Sequence, residues 1–125
     1  MDQERCNVVI TTIMLLFCML MFQSEIAHGD TYNVGGLAGW SRNIGDWTKG
    51  KQFEEGDTFV FKYDPRLHNV VKVNQANFYV CSVDGAIAIY KTGNDSLRLR
   101  TGMHYFISGV HGDCGSGIKV ALHLL

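Results

Sequence analysis

Gly56-Asp57 leads into Phe59-Val60-Phe61-Lys62-Tyr63, a turn pair followed by a short run of aromatic and β-branched residues. The same unit recurs along the chain: Thr31-Tyr-Asn-Val34, Asn69-Val-Val-Lys-Val73, Ala86-Ile-Ala-Ile-Tyr90, Leu97-Arg-Leu-Arg100, Tyr105-Phe-Ile-Ser108 and Ile118-Lys-Val-Ala-Leu122. The runs recur between clusters of Gly, Asp and Asn, and no helical period is sustained between residues 30 and 125. Seven strands of this length predict an all-β domain. Leu97 to Arg100 alternates apolar with basic side chains, so one face packs inward and the other meets water, as in an antiparallel sandwich. Residues Asn74 to Val83 break the pattern and predict a short helix carrying Cys81.

At 125 residues the chain has room for one core. Val8 to Phe22 is apolar apart from Thr11 and Thr12 and follows a short charged head, Asp2, Glu4 and Arg5. Such a run falls short of the roughly 20 residues that cross a bilayer as a helix. It reads as the core of a secretory leader, with cleavage expected after Gly29 in the small-residue pattern Ala27-His28-Gly29. The alternative is an uncleaved signal anchor. The expected division is a signal peptide over 1–29 and one domain over 30–125.

Removing the leader leaves ten Lys and Arg against nine Asp and Glu, a net charge of about +1. No basic cluster interleaves with aromatics, so nucleic acid is excluded as a partner. Cys6 and Cys18 depart with the leader, and the remaining pair, Cys81 and Cys114, is expected to form a disulfide in an oxidising compartment. A loop of 34 residues closed in this way stabilises the fold by roughly 3 to 4 kcal/mol. The apolar tail Val120 to Leu125 is too short for a glycolipid-anchor signal, so neither a membrane span nor an anchor is expected in the mature form. Asn94-Asp95-Ser96 is an acceptor sequon in a turn after Lys91-Thr-Gly93, and Asn94 is expected to carry glycan; otherwise it is an Asn bonding its local backbone.

Several landmarks fall in a fixed order: Thr31-Tyr-Asn-Val-Gly-Gly36, Gly39-Trp40, Trp47, Gly50-Lys51, Phe53, Gly56-Asp57, Phe61-Lys-Tyr63 and His68-Asn-Val-Val71. Together with Tyr105-Phe-Ile107, Cys114, Ser116-Gly117 and Lys119 they resemble the phytocyanins, plant relatives of the cupredoxins, and among them the plantacyanin or basic-blue-protein branch. The resemblance covers residues 30 to 125. It implies a cupredoxin-like Greek-key β-sandwich, which agrees with the strands read above, and a type 1 copper site used for electron transfer.

The resemblance also places the copper ligands. His68 matches the first of them, and the Cys, His and axial Met positions fall on Ser108, Asp113 and Ile118. A blue site needs a thiolate and two imidazoles with a weak axial donor. A serine hydroxyl does not ionise at neutral pH, Asp is a hard oxygen donor and Ile has none. No cofactor is therefore expected, copper entering only if this ligand assignment is wrong. A weak hard-metal or Cu(II) site built from His68, Asp113 and His111 is the alternative; His104 and His123 read as ordinary strand residues. No Gly-x-Ser-x-Gly elbow, HExxH helix or phosphate loop occurs, so no enzyme is expected. The functional expectation is a secreted, non-catalytic protein of the apoplast or cell wall that recognises an extracellular or cell-wall partner. Its rivals are an electron-transfer copper protein and a weak, non-redox metal binder.

Overall fold

The computed structural model describes residues 7–18 and 29–125. Residues 7–18 are helical, and no helix among the described residues is long and apolar enough to cross a membrane. Ala27 and His28 of the expected cleavage pattern lie outside the described residues.

Residues 30–125 form seven strands in two sheets. The strands are β1 (Thr31–Asn33), β2 (Thr58–Lys62), β3 (Val70–Val73), β4 (Ala88–Tyr90), β5 (Asn94–Arg98), β6 (Gly102–Ile107) and β7 (Lys119–Leu124). One sheet has the order β1-β2-β5 and the other β4-β3-β6-β7. A cupredoxin-like sandwich is thus formed, with one correction to the antiparallel expectation: β1 runs parallel to β2, Thr31 opposite Thr58 and Asn33 opposite Val60. After β1 the chain makes two 3-10 turns, Gly36–Ala38 and Gly45–Thr48, and bridges β7 through Phe53 before returning. It re-enters the sheet in the same direction because a crossover, not a hairpin, joins the two strands.

Burial follows the two-residue alternation of a strand. Val70 and Val71, neighbours on β3, belong to different clusters. Val70 joins Phe59, Phe61, Phe106, Ile118, Leu122 and Leu124, with Trp40, in the main core. Each such side chain contributes about 1.5–3 kcal/mol of burial. Val71 joins Val73, Ile107 and Cys114 under Phe78 of the short helix Gln75–Val80. Asn74 caps that helix by accepting from the Asn77 N–H at 2.9 Å, and Cys81 ends it in the left-handed region at φ 54°. The helix is shorter than expected, and Cys81 is its C-terminal cap. The expected disulfide joins Cys81 to Cys114, with Cα atoms 5.7 Å apart, and ties the helix to the loop between β6 and β7.

Candidate functional site

Two loops build the end of the sandwich where the family's ligand positions fall. The first follows β2, where the N–H groups of Leu67 and His68 both donate to the Asp64 carbonyl. Its next residue, Asn69, works as a bracket. The Asn69 carbonyl accepts from Trp40 Nε1 at 2.9 Å, and its Oδ1 accepts from the Gly109 N–H at 2.6 Å. Asn69 therefore fixes the His68 loop to the second loop, residues 108–118. That loop is closed by Ser108 N–H to the Ile118 carbonyl (3.0 Å), Ile118 N–H to the Asp113 carbonyl (3.1 Å) and Asp113 N–H to the Val110 carbonyl (3.0 Å). The disulfide at Cys114 anchors it beside Asp113.

These restraints bring three of the four positions into direct contact. One carboxylate oxygen, Asp113 Oδ2, accepts from Ser108 Oγ at 2.6 Å and from His68 Nδ1 at 2.6 Å. Two donors on one oxygen require the His68 proton on Nδ1, whatever the state of Nε2. Ser108 is 1% exposed, and Ile118 beside the site is fully buried. His68, Asp113 and Ile118 line an open depression with Ser41, Arg42 and Leu67. The Ser108 hydroxyl is spent on the carboxylate and is not bonded to the imidazole. The set therefore lacks the nucleophile-to-base hydrogen bond of a hydrolytic triad.

The remaining sequence candidates lie elsewhere. His111 is exposed, and among the described residues no three His, Cys, Asp or Glu side chains group to hold a metal ion, so the site imagined from His68, Asp113 and His111 is not assembled. His104 Nε2 bonds the Arg100 carbonyl at 2.7 Å, and His123 is exposed on β7 opposite Met103. Asn94 is exposed but is the first residue of β5, not a turn residue.

One polar group escaped the sequence reading. Asp95, 5% exposed, accepts from the Tyr63 hydroxyl and, at 2.6 Å, from Thr92 Oγ1. Burial and then the bond to Asp95 push the Tyr63 phenol up to about 12. The sequence carried no signal for it: Asp95 sits inside the sequon between Lys91 and Arg98, and only the fold shows that it is buried and bonded to Tyr63 and Thr92.

Comparison with known proteins bears on the metal. Residues 39–118 match the family described as a plastocyanin-like domain. The chain is 44% identical over 94 residues to a basic blue protein of Cucumis sativus, spanning 75% of this chain and 98% of that one. It is 38% identical over 110 residues to chemocyanin of Lilium longiflorum, spanning 88% and 86%. The solved structure of cucumber basic protein, a blue copper protein, superposes with a TM-score of 0.73 at 45% identity, covering 76% of this chain and 99% of that chain.

The expectation of a protein without a cofactor is corrected by these likenesses. Relatives this similar are blue copper proteins, and the family points to copper. The residues present do not fit a thiolate-ligated centre, however. Ser108, which the resemblance sets at the thiolate position, has its hydroxyl committed to Asp113, and Ile118, which it sets at the axial position, presents only hydrocarbon. His68 and Asp113 offer one nitrogen and one oxygen donor, and among the described residues no third His, Cys, Asp or Glu joins them. On the match of residues 39–118 and the likeness to the cucumber protein, the chain belongs to the phytocyanins, the plastocyanin-like family of blue copper, electron-transfer proteins.

Proposed function

We propose that this chain is a secreted, non-catalytic phytocyanin that acts in recognition at the cell exterior and not as a type 1 electron carrier. One observation carries the reading: Asp113 Oδ2 holds both Ser108 and His68, so three ligand positions are bonded to one another and none supplies a thiolate. Copper bound by such a set has nitrogen and oxygen donors only, without the soft sulfur bond that tunes a blue centre for electron transfer. What the site offers outward is the depression of Ser41, Arg42, Leu67, His68 and Asp113, with Leu67 59% exposed on its rim. Export is supported by the apolar run from Val8 and by a disulfide, which belongs to an oxidising compartment.

The likeness to cucumber basic protein favours a second reading, copper-dependent electron transfer. Voltammetry of the exported protein after Cu(II) loading separates the two. The proposed reading expects no reversible one-electron copper couple. A reversible couple with fast electron exchange would establish the second reading in its place.

A further inference from the structure

Asn94 and Ser96 project from the same face of β5, both exposed, while Asp95 between them is 5% exposed and held from inside by Tyr63 and Thr92. The acceptor amide and the hydroxyl two residues on are thus presented together to solvent. The Asn94 side chain makes no hydrogen bond among the described residues; only its backbone N–H is engaged, donating to Thr92 Oγ1 at 3.2 Å. The approach is fixed by Gly93, at φ 83°, where a Cβ would stand 2.9 Å from the Tyr63 carbonyl oxygen. β5 is also an outer strand. In the order β1-β2-β5 it pairs with β2 on one side, Asn94 opposite Lys62 and Ser96 opposite Val60, and among the described residues with no strand on the other. Open edges invite strand addition from other chains.

We propose that Asn94 is an N-glycosylation site and that its glycan covers the open edge of β5. The donor is an oligosaccharide carried as a lipid pyrophosphate glycoside. The Asn94 side-chain nitrogen bonds the anomeric carbon as that carbon's bond to the pyrophosphate oxygen breaks. The pyrophosphate leaves with the bonding pair, and the nitrogen gives up one proton. The proposal rests on the export reading, since transfer takes place in the secretory lumen.

The test expresses the full chain with its own leader in a plant host, and a second form in which a leader of that host replaces residues 1–29. Mass analysis of the Asn94 peptide is expected to find glycan, released by an amidase that leaves Asp. Ser96→Ala abolishes it and Ser96→Thr retains it. Glycan on the leader-swapped form alone sinks the export reading and leaves the site standing. Unmodified Asn94 in both forms, with Cys81 and Cys114 bonded, overturns the site. For the edge, the Ser96→Ala protein is expected to self-associate as its concentration rises in sedimentation while the glycosylated protein stays monomeric. If the Ser96→Ala protein also stays monomeric, the covering role is overturned.

Discussion

The Asp113 carboxylate stands 2.6 Å from His68 Nδ1 and joins the loop after β2 to the loop between β6 and β7. The same oxygen takes the Ser108 hydroxyl, which is 1% exposed. Asp113→Ala therefore strands a buried hydroxyl and should destabilise the domain by about 1–3 kcal/mol. Ser108→Ala should cost less, because the partly exposed Asp113 keeps His68. Urea denaturation of the two variants checks the order; equal or inverted costs would overturn the claim that the stranded Ser108 hydroxyl sets the larger loss.

Tyr63 supplies a pH dependence. Its folded-state pKa is raised from 10.0 to about 12, so folding favours the neutral phenol. That contribution is fully present below about pH 10 and is lost as the pH rises towards about 12. Tyr63→Phe should cost about 1–3 kcal/mol at neutral pH by leaving Asp95 with Thr92 alone. The gap between wild type and variant should close across the alkaline window. Denaturation curves taken through that window read it directly, and a gap independent of pH would assign the stability to packing.

Asp57, 4% exposed, accepts from the Asp30 N–H at Oδ1 and from the Glu54 N–H at Oδ2, each at 2.9 Å. Cleavage after Gly29 would turn the first donor into an ammonium group, which holds its proton more tightly beside a carboxylate than in the unfolded chain. A chain beginning at Asp30 should then exceed its N-acetylated form in stability by about 1 kcal/mol. The excess should be present below about pH 8, near the ordinary α-amino pKa, and fade above it. Calorimetry on the two forms at neutral and alkaline pH measures it; identical midpoints would place the mature amine elsewhere.

Strand count and approximate position were legible because β2, β3 and β7 carry uninterrupted β-rich runs between turn residues. β5 was placed three residues late: Asn94, Asp95 and Ser96 have poor strand propensity, and only pairing with β2 and the Tyr63 bond to Asp95 make them a strand. The parallel β1–β2 pair was illegible, since direction depends on a crossover that no local pattern records. At the site, the positions of His68, Ser108, Asp113 and Ile118 came from the family's spacing. That Asp113 would bond both Ser108 and His68 depends on loop closures such as Asn69 Oδ1 to the Gly109 N–H, which join residues 40 apart.

Those closures leave the loop able to present other side chains. Ser108→Cys, Asp113→His and Ile118→Met together restore a thiolate, a second imidazole and an axial thioether beside His68, and Cu(II) should turn this variant blue. Ser108→Cys with Asp113→His should recover most of the affinity, while Ile118→Met chiefly shifts the potential. Titration with Cu(II) followed by absorption distinguishes them. A triple variant that folds with Cys81 bonded to Cys114 yet stays colourless would show that the 109–112 segment has reshaped the loop.

The visible absorption spectrum of the unaltered protein, exported by a plant host and titrated with Cu(II), tests most directly whether a thiolate centre is absent. With Ser108 bonded to Asp113 and both Cys81 and Cys114 in the disulfide, the spectrum should lack the intense thiolate-to-copper charge-transfer band at every copper level. An intense blue band that saturates at one Cu(II) per chain would contradict the account, because it requires a thiolate at the site.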